Sequence, residues 1–196
     1  MTLYDFPISG NCYKIRLLIS MLGLTYKRVP VDLVNGENLQ ETFKQLNPRG
    51  QVPVLVDNEI TIWDSMAILS YLARQYAEES WLPLQPEAFA QVMQWLAVSE
   101  NELLYGLARA RATLIFNRPF NLQQCQEDAH MGLTTLEQHL IRQQWLVSEQ
   151  VTIADVACYP YISLADEAEV TLDNYPSVRR WMSDFEALPG WIPLSY

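Results

Sequence analysis

Two residues near the start of the chain have the spacing of a redox site but not its atoms. Ser9 and Cys12, within the stretch PISGNCYKIR over residues 7–16, are separated as the two thiols of a Cys-x-x-Cys site are. In such a site the first thiol sits at a helix N-terminus, which lowers its pKa and makes it a nucleophile at neutral pH. A serine in that place cannot form a disulfide. Its hydroxyl can, however, donate a hydrogen bond to a thiolate that arrives from outside, and the unpaired N–H groups of the helix start favour the same negative charge. Ser9 lacks a neighbouring histidine to act as its base, so it does not read as a nucleophile itself. On this stretch alone a plain N-cap serine accounts for the residue equally well. Cys12 falls one turn into the helix and reads as a buried structural thiol.

Two further stretches carry recognition chemistry. In NPRGQVPVL (residues 47–55) a proline immediately precedes an apolar strand. A cis Val52–Pro53 bond there exposes the Val52 backbone, and such an edge can hold a peptide by strand-like hydrogen bonds. An ordinary turn before an edge strand is the competing reading. In WDSMAIL (residues 63–69) a helix starts at Asp64-Ser65. Ser65 and the free N–H groups suit a carboxylate, and Asp64 suits an ammonium. In isolation, simple capping explains that pair as well.

The elements that carry these stretches fall into two grammars. Residues 1–80 alternate strand and helix. TLYDF is a strand, YKIRLLISMLGL a helix stopping at Gly23, and YKRVPVDL an extended run whose Pro30 marks an edge. ENLQETFKQLN follows as a polar amphipathic helix, VPVLVDNEITIW as a hairpin turning at Asp57-Asn58, and DSMAILSYLARQY as a closing helix. The order is βαβ-α-ββα, an α+β layer of mixed strand direction. After the Pro-rich joint LPLQPE, residues 81–196 read as all helical. Their helices begin at Pro86, at NLQQ, over 152–168 (TIADVACYPYISLADEA) and at YPSVRRW. Trp63, Trp95, Trp145 and Trp181 read as packing.

Composition narrows the function. The chain has 196 residues, 49% hydrophobic and 18% charged, with a formal net charge of −10. It has no basic run, which argues against nucleic acid. No apolar stretch approaches a membrane span and the N-terminus lacks a signal-peptide pattern. Three cysteines without framework spacing indicate free thiols in a reducing cytoplasm, and two histidines give little basis for a metal site.

Taken in order, Ser9, the GQVP stretch, Asp64-Ser65 and the helical half resemble the cytosolic glutathione transferase family over nearly the whole chain. The likeness is to its bacterial, serine-type, theta- and zeta-like members. VTIADVACYPY is similar to that family's buried capping box, with Thr152 capping the helix and Asp155 returning the bond. YPSVRRWMSDFEALPGW resembles its closing helix. The resemblance implies a thioredoxin-like domain over 1–80 that binds glutathione, and an all-α helical bundle over 81–196 that carries the acceptor pocket. It implies that Ser9 stabilises the glutathione thiolate, with Asn11 as a second polar contact. Val52 then pairs with the peptide backbone beside cis Pro53, Asp64 and Ser65 hold the γ-glutamyl end, and Gln51 and Asn38 reach toward the glycyl end. Tyr4 is structural on this reading. Glutathione is a cosubstrate, no metal is required, and the partner molecule is a hydrophobic electrophile.

On the long helix after Pro86, Tyr105 and Arg109 are four apart and share a face, whereas Arg111 points elsewhere. Tyr105 and Arg109 are therefore candidates for the acceptor pocket, with packing between domains or subunits as the alternative. The resemblance also implies a homodimer, the commonest type of soluble oligomer, and the expected location is the cytoplasm; two helices that are apolar over more than one stripe agree with a dimer. Two other functions remain open at this stage: a glutathione-dependent disulfide or peroxide reductase, and a non-catalytic binding protein that has kept the fold.

Overall fold

In the computed structural model, which describes residues 1–194, the chain opens with β1 (Thr2–Asp5), α1 (Gly10–Met21), β2 (Lys27–Pro30), α2 (Glu41–Lys44), β3 (Val54–Asp57), β4 (Ile60–Trp63) and α3 (Ser65–Tyr76). The strands form one sheet in the order β2-β1-β3-β4. β1 pairs with β2 in parallel and with β3 antiparallel, and β3 pairs with β4 antiparallel. The crossover through α1 makes the parallel pair possible, and the Asn58 turn (φ 52°) closes the hairpin. Pro30 ends the edge strand β2, where a missing N–H costs no ladder bond.

Helix α1 is the core of this unit. Its apolar residues Cys12, Tyr13, Ile15, Leu17, Leu18 and Ile19 are all buried, so the helix is covered nearly all round. The Tyr13 hydroxyl donates to the Ile192 carbonyl at 2.6 Å. This bond ties a returning segment to the helix, and by its contacts the first compact unit is Met1–Ala77 together with the chain from Pro189 onward. Gly190 (φ 80°) permits the return, because a Cβ there would lie 2.7 Å from the Met21 Cα.

The polar run ENLQETFKQLN does not form the single helix its pattern suggests. Gln40 is extended (ψ 150°) and breaks it into a 3₁₀ turn over Glu37–Leu39 and the one turn of α2. Phe43 is the only buried residue of the two pieces. One anchor is too little apolar face to hold a continuous helix.

The second compact unit, Glu78–Leu188, is helical. It contains α4 (Pro86–Val98), a π-helical stretch (Ser99–Ala108), α5 (Arg109–Phe116), α6 (Leu122–Leu140), α7 (Ile153–Ile162) and α8 (Pro176–Glu186). The run after Pro86 is therefore helical to Phe116, as its pattern indicates, but changes hydrogen-bond register midway. Helix α7 stops earlier than the expected 168. Pro160 stands in its last turn, Ser163 closes it, and a separate 3₁₀ turn covers Ala165–Ala168.

Every residue of α7 is buried, and its N-terminus is the polar centre of the unit. The Asp155 carboxylate accepts from Thr152 N (2.9 Å), Thr152 Oγ1 (3.2 Å), Leu146 N (3.0 Å) and Trp181 Nε1 (2.9 Å). Thr152 Oγ1 in turn accepts from Ala154 N at 3.2 Å. The capping box expected from the sequence is formed, and it also gathers the segment before α7 and helix α8. Asp155→Ala would leave four donors unpaired in a dry site. We expect a loss of about 3 kcal/mol or more in urea unfolding. A loss below about 1 kcal/mol would show that the carboxylate does not hold these segments together.

Candidate functional site

The sheet register brings the three sequence-marked stretches to one place. Tyr4 of β1 stands opposite Val54 of β3, and Val54 stands opposite Trp63 of β4. β1 and β4 run in the same direction, so both end at this side of the sheet, and β3 runs against them and begins there. The chain leaving β1 reaches Ser9, the chain leaving β4 reaches Asp64, and the chain entering β3 comes through Val52 and Pro53. Two helix N-termini and one unpaired strand end therefore converge at a single end of the sheet.

Ser9 caps α1 with extended backbone (φ −74°, ψ 122°), and its Oγ accepts from Cys12 N at 3.3 Å. Capping uses an oxygen lone pair and leaves the hydroxyl proton free to donate, so the N-cap reading and the thiolate-binding reading are compatible. Beneath this turn, Asp5 is fully buried and paired with Arg16 (2.5 Å) and with Arg28. Arg16 also donates to the Pro7 carbonyl at 2.7 Å. The loop that carries Ser9 is thus braced by a buried arginine whose partners lie up to eleven residues away, a role its local sequence does not reveal.

Cys12 is fully buried and accepts from Phe6 N at 3.4 Å. Burial, reinforced by the negative charge of Asp5, pushes its thiol up to about 12. Asn11 Oδ1 is buried without a hydrogen-bond partner among the described residues, and so is Ser65 Oγ. Unpaired buried acceptors and hydroxyls are costly, and these two belong to the two helix starts that meet here.

The Val52–Pro53 peptide is cis. Val52 lies outside the strand register and packs half-buried against the cluster of Val31, Phe43 and Val54, with Tyr4. Tyr4 meets Phe43 edge-on at 6.3 Å and is structural, as expected. Asp64 adopts a left-handed backbone (φ 80°), and its Oδ1 accepts from Met66 N (3.0 Å) and Ala67 N (3.4 Å). Ser65, the first residue of α3, is 3% exposed.

The remaining candidates divide. Gln51 is exposed, and its carbonyl accepts from the Asn47 amide at 2.7 Å. Asn38 donates to the Gly50 carbonyl at 2.7 Å, so its amide braces the loop before β3. Trp63, expected as packing, is 37% exposed, and the guanidinium of Arg49 lies 6.0 Å from its ring centre. Arg49 is also paired with Asp64 at 3.3 Å. No local pattern marks that pair, since the partners are fifteen residues apart.

In the helical unit, Arg109 stacks 3.9 Å from the centre of the Tyr105 ring and 5.1 Å from that of Phe120. The shared face read from the sequence is present. Arg111 is buried and paired with Glu167. A cavity of about 590 Å³ in the same unit is lined by Gln94, Trp95, His139 and Trp145, and includes neither Tyr105 nor Arg109.

A four-stranded mixed sheet with this site, followed by a helical unit, defines a thioredoxin-like domain joined to a helical bundle. Residues 1–74 match the family model for the glutathione S-transferase N-terminal domain, and residues 119–188 match that for the C-terminal domain. Glutathione S-transferase 1 of Manduca sexta is 30% identical over 187 residues, 93% of this chain and 86% of that one. Glutathione S-transferase 3 of Zea mays is 30% identical over 203 residues, covering 97% and 91%. Among solved structures, a glutathione S-transferase from Pseudomonas fluorescens superposes with a TM-score of 0.93 at 32% identity, covering 100% of this chain and 98% of that one. The chain belongs to the glutathione S-transferase family.

Cys12 provides a direct check of the site's own chemistry. With its thiol near 12, only roughly one part in ten thousand is thiolate at pH 8. Iodoacetamide at pH 8 is expected to leave Cys12 unmodified in the folded protein and to alkylate it after denaturation, as read by peptide mass. Rapid labelling of the native protein at Cys12 would contradict the buried, protonated assignment.

Proposed function

We propose that the protein is a glutathione transferase in which Ser9 holds the glutathione sulfur as a thiolate. The observation that carries this reading is the convergence at one sheet end of the α1 start, the α3 start and the Val52 backbone. Ser9 and Asn11 serve the sulfur, Val52 beside Pro53 serves the peptide backbone, and Asp64 and Ser65 serve the γ-glutamyl end. Gln51 is the contact for the glycyl end, with Asn38 fixing the loop that presents it. In the reaction the thiol gives its proton to solvent and the thiolate attacks an electrophilic carbon. With an aryl halide, the C–S bond forms and the halide leaves with the electron pair of its bond. The hydroxyl of Ser9 and the helix terminus lower the thiol pKa by favouring the charged form.

In the helical unit, Tyr105 and Arg109 are the candidate contacts for a hydrophobic electrophile. The role consistent with that chemistry is detoxification, and the location we assign is the cytoplasm. The assembly is a homodimer: Ile60 (50% exposed), Trp63 and Tyr76 on the first unit and Phe89 on the second leave apolar surface that a second copy can cover. No helix among the described residues is long and apolar enough to cross a membrane. A disulfide reductase using the protein's own sulfur is disfavoured by the burial of Cys12.

Ser9→Ala separates binding from chemistry. Glutathione affinity, measured by calorimetry, should stay within about threefold, because the peptide is held elsewhere. Turnover of 1-chloro-2,4-dinitrobenzene at pH 6.5 should fall about ten- to a hundredfold, the effect of removing one donor from a developing or resident anion. Unchanged turnover in a folded variant would remove Ser9 from the mechanism. Scattering measurements at micromolar concentration should give twice the mass of one chain, and a monomer that still conjugates glutathione would refute the dimer alone.

A further inference from the structure

Arg49 is a charged group beside the α3 start that the reading above leaves without a function. Its position is fixed by the loop that carries it. Asn47 is 2% exposed, its Oδ1 accepts from Arg49 N at 3.0 Å, and its amide donates to the Gln51 carbonyl at 2.7 Å. Gly50, left-handed at φ 59°, donates its N–H to the Asn47 carbonyl at 2.8 Å. The backbone of 47–51 is therefore wound around a buried asparagine, and it throws the Arg49 side chain outward. The guanidinium meets Asp64 Oδ2 at 3.3 Å while half of the side chain remains open to solvent.

An exposed ion pair of this kind contributes little to stability, so stability does not explain it. Its composition matches a ligand. An α-amino acid end carries an ammonium and a carboxylate on one carbon. Asp64 alone would attract the ammonium and repel the carboxylate beside it. A guanidinium next to Asp64 cancels that repulsion and offers planar paired donors of the geometry carboxylates prefer. Ser65 adds an independent sign that a ligand belongs here, since its hydroxyl is buried, at the start of the same helix, and without a partner among the described residues.

We propose that Arg49 is a specificity-determining residue whose guanidinium, held beside Asp64 and Ser65, takes the α-carboxylate of the ligand's γ-glutamyl end while Asp64 takes its ammonium. This rests on the glutathione reading and deepens it. The pair is neutral overall, as the zwitterionic end is, and so selects against ligands that have lost either charge at that carbon. Position 49 thereby acts on which peptide binds, without touching the sulfur.

The test uses three peptides: glutathione, its analogue lacking the α-carboxylate (4-aminobutyryl-cysteinylglycine) and its analogue lacking the amine (glutaryl-cysteinylglycine). Calorimetry is run on the unmodified protein and on Arg49→Gln, with thermal melting to confirm that the variant is folded. The unmodified protein should prefer glutathione over the decarboxylated analogue by about tenfold, the lower end for a hydrogen bond to a charged group in a half-open site. In Arg49→Gln that preference should shrink to about threefold or less, through weaker glutathione binding and equal or tighter binding of the decarboxylated peptide. The preference over the deaminated peptide should persist or grow, because Asp64 loses its competitor. Arg49→Lys should recover part of the discrimination. Equal weakening toward all three peptides would mean that Arg49 only scaffolds the loop, and tighter glutathione binding would mean that it merely masks Asp64; either overturns the proposal. Failure of the unmodified protein to bind glutathione would overturn the glutathione reading itself, an outcome distinct from normal binding with unchanged discrimination.

Discussion

The N–H groups at a helix start have no partner within the helix, and everything at the candidate site follows from where two such starts lie. The order β2-β1-β3-β4, with β1 and β4 running together against β3, brings the starts of α1 and α3 to the same end of the sheet. Each start is capped by a side chain that keeps some capacity in reserve. Ser9 gives a lone pair to the helix and retains its proton, and Asp64 gives Oδ1 to the helix while its Oδ2 meets only the half-exposed Arg49 at 3.3 Å. The fold thus leaves directed polar groups at one place, and an anionic sulfur and a zwitterionic peptide end are what those groups fit.

The same principle is used in the helical unit to the opposite effect. Asp155 sits at a helix start too, but its two oxygens accept from four donors, and nothing in reserve remains for a ligand. One helix start is spent on stability, and two keep polar capacity that the proposed function uses. Cys12 marks the boundary between these uses within a single turn. It is next to Ser9 in the structure, yet burial and the Asp5 charge keep its thiol protonated. A thiolate at this helix start must therefore come from the ligand.

Much of this was legible in the sequence because it depends on short separations. Ser9 as a cap, Asp64-Ser65 as a helix start, Thr152 with Asp155, and the hairpin at Asp57-Asn58 are all set by residues within three or four positions of one another. Pro53 announced its own backbone. The break at Gln40 was hidden because the polar run has helical composition, and only the count of buried side chains shows that a single Phe43 cannot hold it. The braces by Arg16 and Arg49 were hidden for another reason. Their partners, Asp5 and Asp64, are eleven and fifteen residues away, and which charge meets which is decided by strand order. The return of the chain near Pro189 to α1 is likewise a long-range contact, made through Tyr13 and Ile192 and permitted by Gly190.

The central claim is that this sheet end lowers the pKa of a bound glutathione thiol. It is tested most directly by following the thiolate absorbance near 240 nm of the unmodified protein saturated with glutathione, as a function of pH. A free cysteine thiol titrates near 8.5, and stabilisation by a hydroxyl donor and a helix terminus of roughly 2.7 kcal/mol corresponds to about two pH units. The account predicts a midpoint of about 6.5 for the bound thiol. A midpoint at or above about 8.5 in a saturated complex would contradict it, because the site would then hold the peptide without favouring its thiolate.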